Sequence, residues 1–201
     1  NDLKDRRDGE FRWGYNLVKA GDYPSAVELY ETLLEAKDIG DADRAECHLR
    51  RGTALIGLRR PGAGEKDLKK SMEFTRVAYD GVLRGNDLYA EAHYRRAEIY
   101  QALSHEVRLA LPISSMKDRL ANKVKFFRQS QSSYIDALNV QHAYWATAAG
   151  LRLGELYEQF YLDVMSADVP PELSQEEKEI YFVELRKALQ KISSAGLIIG
   201  G

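Results

Sequence analysis

The sequence holds a single cysteine, Cys47, so no disulfide can form within the chain. That fits a reducing compartment, or an oxidising one in which the fold needs no staple. Long hydrophobic runs are missing as well. No stretch of about 18 apolar residues occurs, which excludes a membrane-spanning helix. An excess of either charge is also lacking. With 29 Lys and Arg against 31 Asp and Glu, the formal net charge is −2. This excludes a globally basic nucleic-acid binder, and no nucleic-acid partner is expected. Metal-ligand spacing is absent too. None of His48, His93, His105 and His142 stands three or four residues from another histidine, and no His-Glu-x-x-His occurs. No metal, no cofactor and no catalytic residue is therefore expected, and Cys47 reads as a small residue on a packed helix face. Proline is scarce: Pro24, Pro61, Pro112, Pro170 and Pro171 are the five, and each falls where helical periodicity lapses.

What remains is rich in Ala, Leu, Glu, Lys and Arg, 44% hydrophobic and 30% charged over 201 residues. That suffices for one ordinary domain or a short array of repeats, and the expected class is all-α. The first residues do not read as a signal peptide. The chain opens on Asn1 rather than Met and closes on the apolar Leu197-Ile198-Ile199, so it reads as a piece of a longer protein.

One four-letter shape recurs: FRWG at 11–14, LRRG at 49–52, YRRA at 94–97 and LRLG at 151–154. Each has a large apolar residue, an arginine, any residue, then glycine or alanine. The small residues are Gly14, Gly52, Ala97 and Gly154, with Leu17, Leu55, Tyr100 and Tyr157 three positions on. A small residue flanked by large ones suits a helix that packs closely on a neighbour. After Gly14 the chain turns at Gly21-Asp22-Tyr23-Pro24. A second amphipathic helix follows, with Ala26, Tyr30 and Leu33 on one face.

These residues, Trp13-Gly14, Leu17, Gly21-Asp22-Tyr23, Ala26, Tyr30 and Leu33, resemble the tetratricopeptide repeat, a helix–turn–helix unit of about 34 residues. In the second unit Gly52 and Leu55 match, Arg60-Pro61-Gly62 reads as the turn rather than a phosphate loop, and Gly64, Leu68 and Ser71 follow. The third has Ala90, Tyr94, Ala97 and Tyr100. Its second-helix residues Ser130, Tyr134 and Ala137 arrive about 21 positions late, so longer helices joined by a loop are expected over 105–125. The fourth starts near His142 with Ala149, Leu153, Gly154 and Tyr157, and its first helix runs to about Ala167. A capping box at Ser174–Glu177 then opens a last helix carrying Ile180, Tyr181, Leu185, Ala188, Leu189 and Ile192. The resemblance implies one domain, 1–201, a right-handed superhelix of about four hairpins over 7–40, 45–80, 87–138 and 142–195, the last two elongated. The spacings of 38, 45 and 57 residues between the small positions mark an irregular array. The long last hairpin is also similar to repeat proteins of bacterial cell envelopes, including some linked to gliding motility.

In that family the first helices of successive repeats line a concave groove. The resemblance therefore implies a protein-binding module taking an extended or helical, acidic peptide along a row of Arg12, Arg50, Arg95 and Arg152, with Phe11, Tyr15 and Tyr94 beside it. A second reading treats the arginines as solvated trim. Asp8, Glu46 and Glu91 stand four residues before three of them, and Glu155 three residues after Arg152, so each has a local acid to pair with. Some members grip a terminal carboxylate with a lysine-and-asparagine clamp. Here Phe11, Tyr15, Arg50 and Glu91 occupy its places and only Arg95 matches, so no such clamp is expected. The alternative function is a structural scaffold that self-associates through its end hairpins. The basic stretch Lys117, Arg119, Lys123, Lys125 and Arg128 reads as the solvated face of a long helix whose phenylalanines pack inward.

Overall fold

In a computed structural model the chain is described over residues 2–111 and 113–197, with side chains omitted at some positions near both ends and around residue 112. Among the described residues it is all helix, with no strand. Eight helices run in order: α1 (Asp2–Ala20), α2 (Tyr23–Glu35), α3 (Asp41–Gly57), α4 (Pro61–Ala78), α5 (Asp87–Glu106), α6 (Ile113–Asn139), α7 (Ala143–Met165) and α8 (Gln175–Leu197). Each packs on the next, and the odd-numbered helices also touch in series, α1 on α3, α3 on α5 and α5 on α7.

The helix ends are written in local chemistry. Asp22 caps α2, its carboxylate accepting from Ser25 N–H, and Pro24 sits in the first turn, where a missing N–H costs nothing. Asn86 caps α5 through Tyr89 N–H at 2.9 Å. Ser174 and Glu177 bond each other's backbone N–H at 2.8 and 3.3 Å, the reciprocal box expected at the start of α8. The long helices α5 and α6, joined across 107–112, fall where the late second-helix residues require them.

Two apolar clusters form the core and meet across α3. One gathers Leu17, Ala26, Tyr30, Leu33, Ile39, Cys47 and Ala54. The other runs from Leu49 and Leu68 through Ala97, Phe127 and Tyr134 to Trp145, Ala149 and Phe160. The small residues admit close neighbours at two of the motif positions. A Cβ on Gly14 would stand 2.6 Å from the Tyr30 ring, and one on Gly52 would stand 3.1 Å from the Gly64 carbonyl oxygen.

Three expectations need correction. The stretch Pro61–Lys66 is the first turns of α4, not the turn itself; the chain reverses over 58–60, with Arg59 at φ 60°. Gly64 serves contact instead, since a Cβ there would meet the Gly52 oxygen at 2.8 Å. Gly154 is exposed with nothing within 4 Å of its Cβ position, and fully buried Ala149 takes the small place on α7. Lys123 is not on a solvated face. It is 0% exposed, on the same buried stripe of α6 as Phe127, Ser130, Tyr134 and Ala137. Of the residues expected along the last helix, Ile180 is exposed, and Leu185, Ala188, Leu189 and Ile192 lie outside the residues whose side chains are described.

Candidate functional site

The odd-numbered helices share one cleft of about 370 Å³. Tyr15 and Lys19 of α1, Arg50 and Thr53 of α3, Glu91 and Arg95 of α5, and Tyr144 and Trp145 of α7 face it, and Tyr23 of α2 also lines it. On α5 the lining residues Asp87, Glu91 and Arg95 come at steps of four, so one stripe of the helix forms the floor.

Glu91 is the centre of the floor. It is 4% exposed, and a carboxylate that deep needs cationic partners. Arg50 supplies one at 2.7 Å from the neighbouring helix, and Arg95 the other at 3.2 Å from one turn on. Arg50 also reaches Glu46 at 3.4 Å. Arg95 continues to Glu98 at 2.9 Å, and Glu98 lies 3.9 Å from Arg152, which pairs with Glu155 at 2.7 Å. Arginine and glutamate thus alternate across α3, α5 and α7. Burial lowers the pKa of Arg50, but Glu91 and Glu46 together outweigh it and the pKa rises. For Arg95 burial again opposes, and Glu98 and Glu91 prevail. Arg152 is raised by its bond to the Tyr94 hydroxyl, then by Glu155.

Aromatic rings cover two of these three guanidiniums. Arg50 lies over Tyr15 at 5.0 Å, and Arg95 over Trp145 at 5.5 Å and Tyr94 at 5.6 Å. Trp145 is fixed by its indole N–H, which donates to Asp87 at 2.7 Å. Tyr144, next to it, is 67% exposed, and Tyr15 39%. Large aromatic faces open to solvent over a rigid charged floor are what interface hot spots require.

The structure therefore brings together Tyr15, Arg50 and Arg95, and joins Arg152 to them through Glu98 and Tyr94. The other expected site residues do not line the cleft. Tyr94 is buried between Tyr134 and Trp145, and its hydroxyl accepts from Arg152 Nε at 3.2 Å. Phe11 packs inward beside Tyr30, their ring centres 6.4 Å apart. Arg12 is exposed on α1 and does not line the cleft, and among the described residues it forms no ion pair with Asp8. So the local pairing expected for four arginines holds for three. Sequence reasoning missed Lys19, Glu91 as a floor residue, Tyr144 and Trp145. Lys19 had a signal, standing one helical turn past Tyr15 on the same face.

Elsewhere Asp67, 4% exposed, is held by Arg51 at 2.7 Å and His48 at 3.1 Å, tying α3 to α4. Burial pushes the Cys47 thiol up to about 12, and Glu46 and Asp43 add to it, which disfavours a nucleophilic thiolate. Among the described residues no group of three or more His, Cys, Asp or Glu is placed to hold a metal ion, and no helix is long and apolar enough to cross a membrane. Compared with family models, curated proteins and solved structures, the chain matches none.

Proposed function

We propose that the chain is a tetratricopeptide-type interaction module, a right-handed superhelix of four hairpins that takes a partner's peptide segment in the cleft of its first helices. The observation that carries this reading is the cleft itself. Four helices distant in sequence each turn polar and aromatic side chains into one concavity. The neighbour pattern supports it, because first helices that touch in series, with each second helix packed on the next first helix, are what such repeats use to build a groove.

The chemistry of the cleft sets the mode of binding. Arg50 and Arg95 have carboxylate partners already, so they act as a fixed floor, and Arg152, outside the lining, is paired with Glu155. Lys19 lies over the Tyr15 ring at 5.3 Å, and among the described residues neither it nor Arg12 has a carboxylate partner. Of the two only Lys19 lines the cleft, and it is the cation left there for an acidic side chain of the peptide. Tyr15 and Tyr144 supply the apolar contact.

The test selects peptides from a displayed random library against the immobilised chain and measures their affinity by fluorescence anisotropy. Tyr15→Ala/Tyr144→Ala is expected to weaken binding by about a hundredfold, at roughly 1.4 kcal/mol for each aromatic contact. Lys19→Glu should weaken acidic peptides selectively. Affinities that stay within about twofold in both variants exclude the cleft.

A scaffold that self-associates through its end hairpin is the second reading. It is favoured by Leu162, Ile180 and Val183, which are exposed on α7 and α8. Sedimentation velocity across a concentration series separates the two: a monomer throughout removes the scaffold.

A further inference from the structure

The opposite face of α5 bounds a second cavity, of about 500 Å³, that shares no residue with the cleft. Tyr89 and His93, one turn apart on α5, face it. Arg76 comes from the end of α4, Arg84 from the α4–α5 turn, Asp136 and Asn139 from the end of α6, and Gln141 from the turn that follows it. Its walls are fixed. Gly85 N–H donates to the Val140 carbonyl at 2.6 Å, which ties the turn to the end of α6, and Leu83 packs against the core.

The polar groups there are unevenly matched. Among the described residues neither Arg76 nor Arg84 has a carboxylate partner. Arg76 spends one N–H on the Tyr89 hydroxyl at 2.5 Å and lies over that ring at 5.4 Å. His93 Nδ1 is buried and makes no hydrogen bond, and its nearest acid oxygen, on Asp136, stands 3.6 Å away. The Asp136 side chain is half-exposed and has no arginine or lysine in ion-pair range among the described residues. Two guanidiniums without a carboxylate partner, and an imidazole nitrogen without a hydrogen bond beside a carboxylate, thus line one cavity. Guanidinium recognises oxyanions, whereas a carboxylate accepts from a hydroxyl and repels an anion. The volume is that of a metabolite-sized ligand.

We propose that this cavity binds a small hydroxylated organic oxyanion, a phosphate or carboxylate, with its anionic group on Arg76 and Arg84 and a hydroxyl on Asp136 and His93. The charge on the free site agrees. Burial, with repulsion from Arg96 and Arg76, holds His93 neutral and its pKa down to about 4. An oxyanion on Arg76 cancels part of that repulsion, so ligand binding raises the His93 pKa.

The test is calorimetric titration near neutral pH with glycerol 3-phosphate, lactate and inorganic phosphate, each at matched ionic strength. Imidazole nitrogen shifts of His93 are read by NMR in parallel. Glycerol 3-phosphate or lactate is expected to bind with a Kd of about 1 mM or tighter, to move the His93 ring nitrogens, and to lose at least about tenfold in Arg84→Gln. Arg84 is exposed and without a carboxylate partner, so that variant should melt with the wild type. Which of the two organic anions binds tells phosphate from carboxylate. Inorganic phosphate binding equally well overturns the hydroxyl half of the site. No binding of either organic anion, or binding unchanged in Arg84→Gln, overturns the proposal.

Discussion

Lys123 gives the sharpest perturbation. Its ammonium is buried between three elements and all three of its protons are used. They go to the Ser104 carbonyl at 2.6 Å, the Val107 carbonyl at 3.0 Å and Asp163 of α7 at 2.7 Å. The lysine therefore caps the end of α5 and ties α6 to α7 at once. Lys123→Met keeps the stem and removes the charge. The Asp163 side chain, 14% exposed, would then be left with Gln159 at 2.7 Å and His105 at 3.1 Å. Breaking a buried ion pair from one side costs about 3–5 kcal/mol. Two remaining donors hold this case near the lower end, about 3 kcal/mol. With a urea slope of about 2 kcal/mol/M, the midpoint falls by about 1.5 M. Removing both charges in Lys123→Met/Asp163→Leu should recover at least about half of that loss, because no buried charge is stranded. Urea denaturation followed by circular dichroism reads both. A midpoint for Lys123→Met within about 0.3 M of wild type refutes the reasoning, since a buried, triply bonded ammonium cannot be that cheap to lose.

Two glycines of α1 should respond with opposite sign to the same change. Gly14→Ala drives a Cβ into the Tyr30 ring and should cost about 1–3 kcal/mol, while Gly9→Ala meets nothing within 4 Å and should gain up to about 1 kcal/mol by thermal melting. Glu91→Gln leaves Arg50 and Arg95 without their shared carboxylate and should cost about 3 kcal/mol, against less than about 0.5 kcal/mol for Arg12→Gln, both read by chemical denaturation. His93 gives a pH signature. Its folded pKa near 4 lies below the ordinary 6.5, so between these values the unfolded chain holds the extra proton and stability falls as pH drops. Across that window the loss reaches about 3 kcal/mol, and His93→Gln should flatten that part of the stability–pH curve.

The parts legible in the sequence are the local ones. The Gly21–Pro24 turn, the Ser174–Glu177 box and the face of Ala26, Tyr30 and Leu33 are each set within a few residues, and the structure has them. The acids at i−4 or i+3 of Arg50, Arg95 and Arg152 were legible for the same reason. What sequence spacing does not reveal is which residue a side chain meets across helices. Glu91 was visible as the local partner of Arg95, but its shorter contact is to Arg50, 41 positions away. Lys123 sits in a basic run and looked solvated; its acceptors lie 19, 16 and 40 residues off. Tyr94 carries the same motif position as Phe11, yet both rings turn inward, because burial depends on how closely the next hairpin packs. On α7 the motif pointed to Gly154 while Ala149 faces the neighbour, since two small residues five positions apart cannot share a helical face.

The claim that the first-helix cleft is the recognition surface is tested most directly by amide chemical-shift mapping with a library-selected peptide. Residues on four separate helices should move together: Tyr15 and Lys19, Arg50 and Thr53, Glu91 and Arg95, Tyr144 and Trp145. Shifts confined to one helix, or centred on the exposed residues of α7 and α8, would contradict it.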